Sequence, residues 1–132
     1  MTSDNGSQTP DNVTPTREGR VLLDPYRDWA EGEGIPIHLD FGHNLLKLET
    51  GPWDRYEARG CFAHTHGAGD FMANYVLEVE PGKKTRPVKH LYEVFCYVLA
   101  GHGSTKVWLP GGEIRTFEWG PKALFAIPLN CQ

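Results

Sequence analysis

Residues 80–108, Glu-Pro-Gly-Lys-Lys-Thr-Arg-Pro-Val-Lys-His-Leu-Tyr-Glu-Val-Phe-Cys-Tyr-Val-Leu-Ala-Gly-His-Gly-Ser-Thr-Lys-Val-Trp, join two β-rich runs through one histidine, His90. Pro81-Gly82 punctuates the end of one strand, and residues 94–99 form an apolar and aromatic run of strand length. Gly101-His102-Gly103 makes the next turn. The stretch therefore reads as strand, polar loop, strand, tight turn, strand.

The same pattern continues on both sides. Upstream, residues 70–80 alternate, with Phe71, Ala73, Tyr75, Leu77 and Val79 on one parity and a more polar set on the other, as one buried and one polar face require. Residues 59–66 read as a strand whose period of two places His64 and His66 on one face. Such a pair suits a metal ion if a third ligand and an orienting shell are present; otherwise it is a polar strand end running into Gly67-Ala68-Gly69. Downstream, residues 105–109 alternate, Pro110-Gly111-Gly112 is a hairpin turn and 114–119 is the return strand. Residues 124–128 form a last short apolar strand. Before all of these, Asp24-Pro25 marks a helix start with Tyr26 and Trp29 on one side, ended by Gly32 and Gly34. Residues 35–39 are extended and 44–50 read as a strand. Residues 1–19, rich in Ser, Thr, Asn, Asp, Gly and Pro, cannot bury enough apolar surface to offset the entropy of ordering, and are expected to be a disordered tail. One domain, 20–132, remains. Its seven or eight short strands with Gly and Pro turns describe an all-β antiparallel sandwich or barrel.

The central stretch resembles the first motif of the cupin family: glycine, five residues, histidine, one residue, histidine, three or four residues, glutamate, six residues, glycine. Aligned on Gly82 and Gly101, the family's two histidines fall on Val88 and His90 and its glutamate on Val94. The resemblance covers roughly residue 26 to the end, with its specific part in 81–130. It implies an antiparallel jelly-roll barrel with a short N-terminal helix, a small-molecule ligand held inside, and a metal site in which one of three ligands survives. Relatives carry a further histidine in a second motif after the last strand read here. The chain thus looks like the front portion of a longer protein, or a shortened relative, with an incomplete barrel. Such a barrel exposes unpaired sheet edge, and homodimerisation or association through that edge is expected.

His90 has two readings: a ligand to Fe(II) or Mn(II) with partners from elsewhere, or a partly buried histidine hydrogen-bonded to a neighbouring strand. Glu93 lies on the opposite parity from Val94 and points away from the interior unless a bulge re-aims it. Two hypotheses follow. In the first, the domain holds a small apolar or aromatic molecule against Val88, Val94, Cys96, Val98 and Trp108 or Phe125, without catalysis by this chain. In the second, which the resemblance to cupin dioxygenases implies, a small aromatic or carboxylic substrate is oxidised at Fe(II) held by His90, with Glu93, His64 and His66 as candidate ligands. Arg86 and Lys89, beside the motif, either attract an acidic ligand or are solvated loop charges.

Composition narrows the partners. A net charge of −4, with scattered cations, gives nothing to neutralise a phosphate backbone, so nucleic acid is not expected. No apolar run approaches a membrane span and the N-terminus lacks a signal peptide's regions; the expected location is the cytoplasm. Cys61, Cys96 and Cys131 are odd in number, lack metal-type spacing and read as reduced thiols.

Overall fold

The structure of the protein is a computed structural model that describes residues 25–67 and 72–132, together with the backbone of 13–15 and 21–23. The tail expected over residues 1–19 lies outside the described residues except at β1 (Val13–Pro15), which pairs antiparallel with β2 (Val21–Leu23). Pro25 opens α1 (Pro25–Gly32), as its fixed φ favours, and Gly34, at φ 70°, turns the chain out of it. Ala30 is buried, and Tyr26 and Trp29 pack against the same core.

The largest sheet is built around one strand. β3 (Ile37–Asp40) runs parallel to β5 (Ala58–Thr65), while β4 (Gly51–Trp53) and β6 (Tyr75–Glu78) pair with β5 antiparallel. The registers Trp53↔Ala58, Gly51↔Gly60, Gly60↔Leu77 and Phe62↔Tyr75 put these residues on one face. That face holds the core: Trp53 and Phe62 are almost fully buried beside Ala30, Ile35 and Tyr56. The Trp53 ring lies 4.6 Å from Tyr56, 5.3 Å from Tyr75 and 5.6 Å from Phe62, each edge to face, the arrangement that aromatic quadrupoles favour.

Gly60 is required here by close approach. A Cβ at this position would stand 2.5 Å from the Trp53 ring and 2.8 Å from the Val76 carbonyl oxygen, and the carbonyl belongs to the β5–β6 ladder and cannot yield. Gly60→Ala is expected to cost about 1–3 kcal/mol through overpacking, read as a lowered urea midpoint; an unchanged midpoint would show that the ring and strand shift freely.

The second half of the chain forms two ribbons. β7 (Val94–Tyr97) pairs with β10 (Leu124–Ile127), and β8 (Gly103–Trp108) pairs with β9 (Ile114–Trp119) across the turn at Pro110-Gly111-Gly112. Phe117 meets Phe125 edge to face at 5.0 Å, joining the ribbons. The C-terminus closes back on β8, with Trp108 and Gln132 exchanging backbone hydrogen bonds.

Strand therefore dominates, with one short α-helix among the described residues, as the all-β reading expects. The antiparallel barrel is not closed: among the described residues the strands form four separate sheets. Residues 79–93 between β6 and β7 take no strand pairing, so the hydrogen bonding that would join the two halves is interrupted there. Pairing is also not antiparallel throughout, because the long 41–57 connection lets β5 return parallel to β3. Residues 44–50 are not a strand; they contain a 3₁₀ turn, Leu45–Lys47, closed by the Lys47 amide on the Asn44 carbonyl. Of the strand expected over 70–80, Tyr75–Glu78 is the strand among the described residues, and one further bond, from the Ala63 amide to the Asn74 carbonyl, continues its contact with β5; residues 70 and 71 lie outside the described residues.

Candidate functional site

Tyr56 sits in the turn between β4 and β5, fixed by its amide on the Trp53 carbonyl. Its side chain is buried, and its hydroxyl is 3.2 Å from the Tyr75 hydroxyl and 3.2 Å from Nε2 of His90. His90 lies on the irregular 79–93 segment, which is pinned twice: the Asn130 amide donates to the His90 carbonyl, and the Arg86 amide donates to the Tyr56 carbonyl. The Tyr92 ring stacks on His90 with centroids 4.7 Å apart. Three chemically distinct elements thus bring two phenols and an imidazole to one point beside the aromatic core.

The electrostatics of this point are those of a neutral network. Burial first, then the adjacent Tyr75, drives the Tyr56 hydroxyl far above the usual phenol range, and burial also raises Tyr75 and Tyr92. Burial, then the Arg55 guanidinium, holds His90 below the ordinary imidazole value. At neutral pH His90 is uncharged and the phenols keep their protons. Such a cluster orients a ligand by giving and accepting hydrogen bonds; it supplies no charge for activating water.

A second anchor flanks it. Glu33 accepts two bonds from Arg55, at Oε1 and Oε2, and one from the Trp53 indole N–H at 2.6 Å. The Arg55 guanidinium lies 5.4 Å over the Trp29 ring. Arg55 first, and the indole N–H after the opposing effect of burial, hold the Glu33 carboxyl below the usual range. This clamp ties the end of α1 to the β4–β5 turn that carries Tyr56. Beside it opens a cleft of about 580 Å³ lined by Gly32, Glu33, Asp54, Arg55 and the Arg86–Lys89 stretch.

The residues singled out from sequence are placed as follows. Val88 packs against the aromatic core, Val94 is buried, and Cys96 and Val98 are half-buried on Val94's parity. Burial raises the Cys96 thiol above its ordinary value. Trp108 shares the parity of Ser104 and Lys106, and its ring lies 5.5 Å from the Lys106 ammonium. The interior position on that strand is its neighbour Val107, because successive side chains alternate. Glu93 is exposed.

His64 and His66 do not act together. His64 turns to α1, its Nε2 2.8 Å from the Tyr26 hydroxyl, whereas His66 lies past the end of β5, exposed beside the Phe41 ring. Among the described residues no group of three or more His, Cys, Asp or Glu is placed to hold a metal ion. Iron or manganese needs at least two histidines and a carboxylate in the familiar oxygen-activating set, which the described residues do not assemble around His90.

Sequence reasoning missed Tyr56, Arg55 and Glu33. They belong to a turn and a helix end with no spacing signal of their own; the cluster Trp53-Asp54-Arg55-Tyr56 after Gly51-Pro52 was the visible hint.

His64 and His90 both lie below the ordinary value, His64 through burial and then His43. A histidine depressed in the folded state stabilises it above the unfolded value near 6.5 and loses that contribution as pH falls from there toward the folded value. Stability is therefore expected to drop on acidification from about pH 6.5, with a shallower slope in His90→Gln. Chemical denaturation at a series of pH values checks this; a flat profile across that window would contradict it.

Among the described residues no helix is long and apolar enough to cross a membrane. Compared with known proteins, the chain matches no family model, no curated protein and no solved structure.

Proposed function

We propose that the protein is a cupin-like domain that binds a small neutral or aromatic molecule between its main sheet and the β7–β10 ribbon, without catalysis by this chain alone. The observation that carries this reading is the convergence of the Tyr56 and Tyr75 hydroxyls with Nε2 of His90 in aromatic surroundings. A few convergent polar groups in an apolar setting are what a small-molecule site requires. The commitment of Nε2 to a phenol favours orientation over coordination. Jelly-roll kinship rests on the spacing Gly82, His90, Gly101 and on the strand content.

The test is a titration of the protein with phenol, followed by Tyr and Trp fluorescence and by chemical shifts at His90, alongside elemental analysis. The reading expects saturable shifts at His90 that weaken about fivefold or more in Tyr56→Phe, one hydrogen bond being worth about 1 kcal/mol. Near-stoichiometric iron or manganese that disappears in His90→Ala would replace this reading with the metal-dependent oxygenase one. Absence of saturable shifts would remove it.

A further inference from the structure

β7 presents an open pairing edge. The Val98 amide donates to the Ala123 carbonyl and the Val98 carbonyl accepts from the Lys122 amide, so the backbone groups of Val94, Cys96 and Val98 face β10. Successive residues of a strand alternate, and the amides and carbonyls of Phe95 and Tyr97 therefore face the other way, where no strand pairs with β7 among the described residues. The side chains of the same two residues are exposed, Phe95 at 73 %. Sheet edges are ordinarily blunted by charge or proline. The main sheet and the β8–β9 ribbon conform, with Asp40 on β3, Pro52 on β4, Glu78 on β6, Lys106 on β8 and Arg115 on β9. On β10 the outward positions run Leu124, Ala126 and then Pro128, which has no N–H to give. β7 itself, Val-Phe-Cys-Tyr, has neither device.

We infer that β7 pairs antiparallel with β7 of a second copy of the chain, about a two-fold axis at Cys96, to make one β10–β7–β7–β10 sheet. In this register Phe95 of each copy lies opposite Tyr97 of the other, and their outward amides and carbonyls exchange hydrogen bonds; the two Cys96 residues meet at a non-hydrogen-bonded position. The exposed rings become two aromatic cross-strand pairs. Glu93, the charge that precedes the strand, falls opposite Leu99, so the carboxylates of the two copies sit at opposite ends of the paired segment. A second copy suits this edge because a two-fold contact uses one patch twice and β7 carries no charge that would repel itself. Pairing consumes the open edge, and Pro128 keeps β10 from adding a further strand, so assembly closes at two copies. The interface goes beyond the interior ligand site and does not depend on it.

The experiment is sedimentation of the whole chain over a concentration series, where a monomer–dimer equilibrium is expected. Phe95→Lys and, as a second variant, Tyr97→Lys should each weaken dimerisation about tenfold or more, since the two-fold introduces every change twice. Leu124→Lys alters the same exposed face, across the ladder from Tyr97, but not the pairing edge; it should leave the dimer intact. Diamide should join the two copies through a Cys96–Cys96 disulfide, because the Cα separation at a non-hydrogen-bonded pair, about 4.5 Å, is within a disulfide's reach. Cys96→Ser should stay dimeric and lose the crosslink. The lysine variants change exposed side chains, and thermal melts of dilute protein confirm that they fold. A chain that stays monomeric throughout the series, a dimer weakened equally by Leu124→Lys, or a dimer that forms no Cys96 disulfide would each overturn the inference.

Discussion

Trp53→Ala is expected to lower stability by about 3–5 kcal/mol, the range for emptying a large aromatic site in a packed core. The residue is 2 % exposed, touches three aromatic rings and donates its indole N–H to Glu33. Its removal opens a cavity and strips the clamp of a donor at once, while Gly60 opposite contributes no side chain that could fill the space. For a chain of this length the thermal midpoint should fall by roughly 10–20 °C. Trp108→Ala is the control: that ring is half-buried beside Lys106 and outside the β4–β5 core, and its loss should cost about 1 kcal/mol. If thermal or urea denaturation shows equal losses for the two, the core is not centred on β4 and β5.

Glu33→Ala is expected to cost about 2–3 kcal/mol. A hydrogen bond to a charged group contributes about 1.5–3 kcal/mol, and the carboxylate holds three. The sum is discounted because the Arg55 side chain is 37 % exposed and water screens and replaces part of what it loses. Glu33→Gln, which keeps one acceptor oxygen for the indole or the guanidinium, should lose about half as much. A double-mutant cycle with Arg55→Met isolates the pair: a coupling above about 1 kcal/mol is expected, and additive losses would show that the clamp is a surface contact only. The consequence reaches the site, since Arg55 is also the charge that depresses His90 and lines the cleft.

Local elements were legible where a short pattern determines them. Pro110-Gly111-Gly112 between alternating runs gave the β8–β9 hairpin, with β9 at its expected bounds, and Pro25 and Gly32 bracketed the helix. Elements whose length depends on a distant partner were not. The alternation of 70–80 does not show that the ladder with β5 runs over Tyr75–Glu78, and the apolar residues of 44–50 do not reveal that the Asn44 carbonyl closes a 3₁₀ turn. The barrel expectation treated 81–93 as the link between two paired strands, whereas that segment takes no strand pairing and is tied down by the Asn130 amide on the His90 carbonyl, the Arg86 amide on the Tyr56 carbonyl and side-chain bonds of Arg86 to Glu57 and of His90 to Tyr56.

The site divides the same way. His90 stood out because it is the one imidazole within a recognisable spacing, and parity separated buried Val94 from exposed Glu93. Parity also separates Trp108, half-buried, from its fully buried neighbour Val107. Tyr56 carried no such signal: its role comes from a turn that points its hydroxyl at Tyr75 and His90, residues 19 and 34 positions away. Convergence of that kind is a property of the packed chain.

The ring resonances of His90, followed by ¹H–¹⁵N correlation during a Mn(II) titration at neutral pH, test most directly whether the imidazole serves a hydrogen-bonded binding cluster. A neutral ring whose signals are not selectively broadened at one equivalent of Mn(II), and which shift when Tyr56→Phe removes the hydroxyl, is the result expected here. Selective broadening at one equivalent, lost in His90→Ala, would contradict it.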